Sequence, residues 1–213
     1  MSKLPMVPGM VQRVLRAARE GETPAQCGRE CHVLHMPGLR LQTPTKRDVR
    51  IMYAAASDPQ AQRWLGWTGP AVIPQQDLEQ QLARTAGRGR AFPHVLGPVR
   101  YLVAIDPAAG RVAGAFGVDT DAGEVGGWLA PRYRGRGLGS GLFAGAAEFA
   151  HQHLGIPSVT AATEISNAAC IAVLAFAGFI PAAGPDTHIL PDGREVPVRW
   201  FRHESAYPTV CEA

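Results

Sequence analysis

The feature that most constrains the fold of this 213-residue chain is the stretch RYRGRGLGSG, from Arg132 to Gly141. A strand-like pattern ends near Ala130, and an apolar helical pattern begins near Ser140. A strand that turns directly into a helix presents the helix N-terminus, whose unpaired N–H groups and dipole attract anions. Glycines let the backbone approach such an anion without a Cβ in the way. This placement predicts a phosphate-binding loop.

Two other phosphate-binding motifs fit this stretch poorly. The P-loop requires a lysine after its last glycine, and none follows here. The Rossmann fingerprint requires a glycine where Ser140 stands, and it opens a parallel unit, whereas this loop follows three strands joined by short turns. The arginines carry little weight alone, because only Lys3 and Lys46 are lysines among the 21 basic residues, as a GC-rich coding sequence would produce.

The chain is long enough for one domain with short appendages. We expect an N-terminal extension with a short helix at residues 1–35, the domain at 36–205 and a tail at 206–213. Within the domain, VRYLVAID, RVAGAFGVD and GEVGGWLA predict an antiparallel meander. A helix from Ser140 to Leu154, the strand SVTAATEI, the helix NAACIAVLAFA and a hairpin turning at Asp192-Gly193 follow.

The composition is that of a globular protein, with 46% hydrophobic and 18% charged residues and a formal net charge of +3. The first twenty residues carry three arginines and no long apolar run, and no apolar stretch is long enough to span a bilayer. We therefore expect a soluble cytoplasmic protein without a membrane partner. Cys27, Cys31, His32 and His35 are zinc-binding residue types, but their spacing is not that of a zinc finger, so no metal site is predicted.

The segment from Arg134 to Gly139 matches the pattern Arg/Gln-x-x-Gly-x-Gly/Ala and resembles the acyl-CoA pyrophosphate loop of the GNAT superfamily of N-acetyltransferases. EVGGWLAPRYRGRGLGSGLFAGAAEFA is similar to the family's fourth strand, loop and third helix, and NAACIAVLAFAGF to its fourth helix. GLRLQTPTKRD is similar to the opening of the branch that includes the ribosomal-protein N-terminal acetyltransferases. The resemblance implies the α/β (α+β) GNAT fold, a mixed, mostly antiparallel sheet flanked by helices, with a V-shaped splay between its fourth and fifth strands.

The resemblance implies an acyl-CoA-dependent N-acyltransferase, most simply one that transfers acetyl from acetyl-CoA to a primary amine by direct attack in a ternary complex. The acceptor would be a small-molecule or peptide amine, and the family also allows a homodimer. Two alternatives stay open. One is a GNAT-fold transferase that takes an aminoacyl group from tRNA in natural-product biosynthesis, which the mild basicity permits. The other is a non-catalytic acyl-CoA-binding protein.

The family also implies which residues bind the donor. The loop backbone binds pyrophosphate, and we expect its N–H groups to act, with the Arg132 and Arg136 side chains dispensable. Gly126 and Gly127 fall where the family's fourth strand bulges, and paired glycines suit a bulge. Carried onto this sequence, the cofactor-binding residues are Trp128, Leu129, Arg134, Gly135, Arg136, Gly137, Leu138, Gly139, Ser140 and Asn167, the last as a tether for the pantetheine arm.

A base must remove a proton from the attacking amine. Glu124 matches an acidic residue that many relatives carry at the start of the fourth strand, and Glu164, at the end of the next strand, is the second candidate. Many relatives place a tyrosine acid seven positions after the helix asparagine, where this chain has Leu174. Cys170 is then the candidate acid, or simply a small core residue. Trp64, Trp67, Phe92 and Trp200 are predicted to line the acceptor pocket.

Overall fold

The computed structural model describes residues 32–45, 48, 51–52, 58–67, 95–96 and 98–206. The predicted N-terminal helix, Cys27, Cys31 and Phe92 lie outside these residues. Within the described part of the chain, no helix combines the length and the apolar character needed to cross a lipid bilayer.

Ten strands and three α-helices have described bounds, and Asp48, Ile51 and Met52 are helical as well. A 3₁₀ turn at Pro131–Tyr133 precedes the second helix, and a π-helical segment at Phe149–His153 continues it. The strands are β1 (Val33–Met36), β2 (Leu39–Gln42), β3 (Val95–Leu96), β4 (Val99–Asp106), β5 (Arg111–Asp119), β6 (Glu124–Leu129), β7 (Ser158–Glu164), β8 (Ile180–Ala182), β9 (Thr187–Ile189) and β10 (Glu195–Glu204), and the helices are α1 (Pro59–Leu65), α2 (Leu138–Glu148) and α3 (Ala168–Phe176).

The strands form one mixed sheet in the order β1-β2-β4-β5-β6-β7-β10-β8, with β3 paired to β4 and β9 paired to β10. Every pairing is antiparallel except that of β6 with β7, which the crossover through α2 makes parallel. That parallel pairing consists of one register pair, Glu124 with Thr160, so the two strands diverge beyond it. The predicted mixed, mostly antiparallel sheet is confirmed, and it has the predicted splay between the strand that precedes the loop, β6, and the next strand, β7.

The predicted meander is present as β4, β5 and β6. Gly110 and Gly123 close its turns with left-handed φ values of 61° and 65°. The bulge predicted at Gly126–Gly127 is absent, because β5 and β6 pair residue for residue from Gly114 with Leu129 to Asp119 with Glu124. The register shifts instead between β4 and β5, next to Ala104. Paired glycines are also compatible with a regular strand, and here both glycines lie in the regularly paired part of β6.

The core lies between the sheet and α2. Phe116, Leu142 and Phe149 are fully buried within it. Gly145 lets the helix approach β2, because a Cβ there would lie 2.1 Å from Leu41 Cδ1. This close packing fixes where α2 begins relative to the end of β6, and so fixes the loop between them.

Candidate active site

The loop between β6 and α2 forms an open cradle. Gly135 and Gly137 adopt left-handed φ values of 69° and 75°, and a Cβ at either would meet no other atom within 4 Å. Gly137 occupies the N-cap position of α2, where it supplies no side-chain cap. The first-turn N–H groups and the positive end of the helix dipole are therefore available to an anion. The loop fits a pyrophosphate.

The last glycine of the motif has a packing role. Gly139 lies in the first turn of α2, and a Cβ there would lie 2.8 Å from Val173 Cγ2 on α3. This glycine therefore lets the two helices approach each other closely. Because α3 carries Asn167 at its N-terminus, the close approach brings that residue to the same cavity as the loop.

The arginine of the motif is engaged in the protein itself. The Arg134 guanidinium donates to Leu129 O and to Gln60 Oε1, both at 2.8 Å, and it pairs with Asp58. Asp58 is the N-cap of α1, where its side chain accepts the N–H of Ala61. Arg134 therefore connects the loop to α1, and it also lines the cavity.

The other arginines of the loop lie on its surface. The exposed guanidinium groups of Arg132 and Arg136 lie over the Tyr133 ring, at 5.2 and 5.5 Å from its centroid. The backbone N–H of Arg134 donates to Pro131 O at 3.2 Å within the 3₁₀ turn. The Arg134 N–H is therefore already engaged, and the predicted backbone donors available to a ligand are those of the residues that follow it.

One cavity of about 710 Å³ joins the loop to the splay between β6 and β7. Its walls come from β6, β7, the three helices and the hairpin of β9 and β10. Two of the predicted residues, Arg136 and Trp200, are absent from its described lining. The predicted residues that do line it are Trp64, Trp67, Glu124, Trp128, Leu129, Arg134, Gly135, Gly137, Leu138, Gly139, Ser140, Glu164, Asn167 and Cys170.

Glu124 lies where the splay opens, at the pairing of β6 with Thr160. Its side chain is half buried, and this burial raises the pKa of its carboxyl above the ordinary 4.5. The charge of His188 opposes the shift and that of Asp119 adds to it. Gly126 lies two residues further along β6 on the same face of the strand, and it leaves open space beside the carboxylate. A carboxyl with a raised pKa in a cavity is a candidate proton acceptor.

Glu164 is held as a carboxylate by Arg63. The Arg63 guanidinium donates to both of its oxygens, at 2.5 and 2.7 Å, and the Ser166 hydroxyl donates to one of them at 2.5 Å. These hydrogen bonds, that of Arg63 foremost, lower the pKa of Glu164 to about 2. So acidic a carboxyl accepts protons poorly at neutral pH. Glu164 therefore links β7 to α1, and the geometry disfavours it as the base.

The N-terminus of α3 supplies the far wall of the cavity. Asn167 Oδ1 accepts the Cys170 N–H at 3.1 Å, so the cap uses the carbonyl oxygen and the side-chain N–H₂ is the group that could bind a ligand. Burial raises the pKa of the Cys170 thiol, and a hydrogen bond with Thr163 partly opposes the shift. Leu174, at the position of the family tyrosine, is fully buried in the core.

Residues 38–180 match the family model described as an acetyltransferase (GNAT) domain. The chain belongs to the GNAT acetyltransferase family. This match includes β6, the loop, α2, β7 and α3, and thus most of the cavity lining. No curated protein matches the chain.

Solved acetyltransferase structures share the fold of this GNAT chain. A spermidine N-acetyltransferase from Vibrio cholerae, in complex with CoA and spermine, is 15% identical over 78% of this chain and 95% of its own, with a TM-score of 0.61. A ribosomal-protein alanine acetyltransferase from Vibrio fischeri is 14% identical over 82% and 97%, with a TM-score of 0.59. A ribosomal α-N-protein acetyltransferase in complex with CoA is 15% identical over 81% and 98%, with a TM-score of 0.63. At these identities the likeness establishes the fold.

Two of the predicted acceptor-site tryptophans of this GNAT chain lie at its cavity. Trp67 contacts Trp128 edge to face, with ring centroids 6.2 Å apart, and Arg63 lies over the Trp64 ring at 4.5 Å. Trp200 instead donates its indole N–H to Pro185 O at 2.8 Å and packs against Gly184. Trp200 therefore packs beside Gly184, outside the described cavity lining.

The sequence did not single out two residues that line or border this GNAT cavity. His188 lies on β9 opposite Val196, and the alternation of His188 with Leu190 and of Val196 with Val198 along the hairpin was a usable signal for an inward strand face. Arg63 had no such signal, because its partner Glu164 is 101 residues away in sequence.

Proposed function

We propose that this GNAT chain transfers an acetyl group from acetyl-CoA to a primary amine, with both substrates bound in the one cavity. The observation that carries the proposal is that an anion cradle and a carboxyl with a raised pKa open into the same space. Support also comes from the relatives, which are named as acetyltransferases of spermidine and of ribosomal proteins.

The donor would bind along the loop and α3. Backbone N–H groups from Gly135 to Ser140 would hold its phosphates, and the Asn167 amide would hold the pantetheine arm. Beyond the pair of Glu124 with Thr160, the main-chain groups of β6 have no ladder partner in β7 and can bind the donor as well. When bound, acetyl-CoA supplies an activated thioester, whose C–S bond is exchanged for the C–N bond of the amide.

Glu124 would hold the acceptor and take its proton. An amine attacks only in its neutral form, so a carboxylate within reach must accept one proton before or during attack. The raised pKa of Glu124 makes it a stronger base than a solvated glutamate. The Glu164 carboxylate, already bonded to Arg63 and Ser166, would stay out of this step.

Cys170 is the residue that could return a proton to sulfur, because its raised pKa keeps the thiol protonated at neutral pH. A free thiol has a pKa of about 8.5, so the CoA thiolate is a good leaving group unaided, and we expect Cys170→Ala to lower kcat by less than about tenfold. The kcat of Cys170→Ser, which retains a proton donor, should be closer to that of the unmodified enzyme. A decrease of about 100-fold or more in the alanine variant would instead make Cys170 a principal acid.

The proposal is tested by thiol release from acetyl-CoA in the presence of a panel of primary amines, with acetylated products identified by mass spectrometry. We expect amine-dependent release and an N-acetylated product. Binding of acetyl-CoA without release against any amine would contradict the proposal and favour a non-catalytic binding protein. Transfer from an aminoacyl-tRNA, without acetyl-CoA binding, would contradict it in favour of the other donor.

A further inference from the structure

We infer that the acceptor of this enzyme is a monoamine with an apolar body, and not a polyamine. This inference rests on the proposed function and narrows it. It is carried by two properties of the described cavity lining. Carboxylates that could bind ammonium groups are scarce there, and the cavity that holds Glu124 also presents several large apolar side chains.

The described lining offers two carboxylates, Glu124 and Glu164. Glu164 is already engaged by both hydrogen-bonding arms of the Arg63 guanidinium and by Ser166. Glu124 makes no ion pair with another described residue, so it is the carboxylate available to an amino group. A polyamine would bring further ammonium groups into the cavity, and an ammonium that enters an apolar site without a partner carries a desolvation penalty.

The surface near Glu124 suits an apolar group. Six side chains that present hydrocarbon or aromatic surface line the same cavity, and they come from α1 and the residues just after it, from β6 and from the β9–β10 hairpin. They are Trp64, Trp67, Trp128, Leu190, Val196 and Val198. Burying an apolar body against such a surface is favourable, whereas a polyamine would also bring ammonium groups there that lose water without gaining a partner.

The strand geometry places this surface next to the carboxylate. Glu124, Gly126 and Trp128 alternate along β6 and share one face of the strand. Gly126 has no side chain, and a Cβ there would meet no atom within 4 Å. The open space over Gly126 therefore lies between the carboxylate and the indole of Trp128. An amine held at Glu124 can extend its body across this gap toward the edge-to-face pair of Trp128 and Trp67.

The test compares acceptors on the unmodified, full-length protein with acetyl-CoA fixed and saturating. Thiol release is measured with 2-phenylethylamine, with spermidine, and with a short peptide amide that begins with alanine. We expect kcat/KM for 2-phenylethylamine to exceed that for spermidine by about tenfold or more, and to exceed that for the peptide. Equal values, or a preference for spermidine or the peptide, would overturn the acceptor class and leave the proposed function intact. Absence of release with every amine would overturn both.

A pair of hairpin variants tests whether the apolar surface causes the preference. Val198→Asp places a carboxylate at the cavity, whereas Ile189→Asp makes the same kind of change at an exposed position outside the described lining. We expect Val198→Asp to lower the ratio of kcat/KM for 2-phenylethylamine to that for spermidine about tenfold or more, and Ile189→Asp to leave it unchanged. Thermal melting shows whether both variants fold. If Val198→Asp does not fold, the comparison of acceptors on the unmodified protein decides the inference alone.

Discussion

Replacing Glu124 with glutamine is expected to lower kcat by about 10²- to 10⁴-fold, the range over which a positioned base acts. Glutamine keeps the shape of the side chain and removes its ability to accept a proton. In the unmodified enzyme the carboxyl is a base only when ionised, so activity should fall as the pH falls through its pKa. Because burial raises that pKa, the midpoint of the acid limb should lie above 4.5. The measurement is a pH profile of kcat for both proteins.

Glu164→Gln is the matched control, because it makes the same chemical change in the same cavity. In the unmodified enzyme the Glu164 carboxylate is bound by Arg63 and has a pKa of about 2, so it stays ionised throughout the accessible pH range. We expect this variant to keep the acid limb of the profile and most of kcat. If Glu164→Gln abolished the acid limb and Glu124→Gln kept it, the assignment of the base would be reversed.

Gly137→Ala is expected to raise the KM for acetyl-CoA by roughly 10- to 150-fold, which corresponds to the loss of a hydrogen bond to a charged group worth about 1.5–3 kcal/mol. The new Cβ would enter the open space of the cradle, where the backbone must approach the phosphates closely. The chemistry at Glu124 is untouched, so kcat at saturation should change little. Initial rates at varied acetyl-CoA concentration provide the measurement.

Gly110→Ala separates backbone strain from donor binding. Gly110 has a left-handed φ of 61° and open space around it, as Gly137 does, but it lies in the turn between β4 and β5. Both alanine variants should lose about 1–2 kcal/mol of unfolding free energy, because an L-residue disfavours this conformation. Only Gly137→Ala should change the KM for acetyl-CoA. A similar change in both variants would show that the effect comes from stability and not from the cradle.

The local parts of the site could be predicted from the sequence. Gly135 and Gly137 were recognisable because a left-handed turn between a strand and a helix favours glycine, and Asn167 because it opens an apolar helix. The meander was readable from alternating residues and short turns. Each of these signals lies within a few residues of the feature it predicts.

The parts of the site that depend on distant contacts could not be predicted in this way. Arg134 matched a motif, but its partner Asp58 is 76 residues away, and no local pattern shows that the guanidinium would contact α1. Trp200 shares a strand face with Val198, yet it lies past the cavity, where β10 pairs with β8 at Ala182. The glycine pair at 126–127 allowed either a bulge or a regular strand, and the partner β5 decided between them.

The bridge from Arg134 to α1 has a consequence for how the two substrates bind. Its guanidinium connects the strand end at Leu129 with Asp58 and Gln60, so the loop at one end of the cavity and the helix that carries Trp64 at the other form one mechanical unit. We therefore expect binding of the proposed donor at the loop and of the proposed acceptor beside α1 to be coupled. By thermodynamic reciprocity, each ligand would then change the affinity of the other by the same factor.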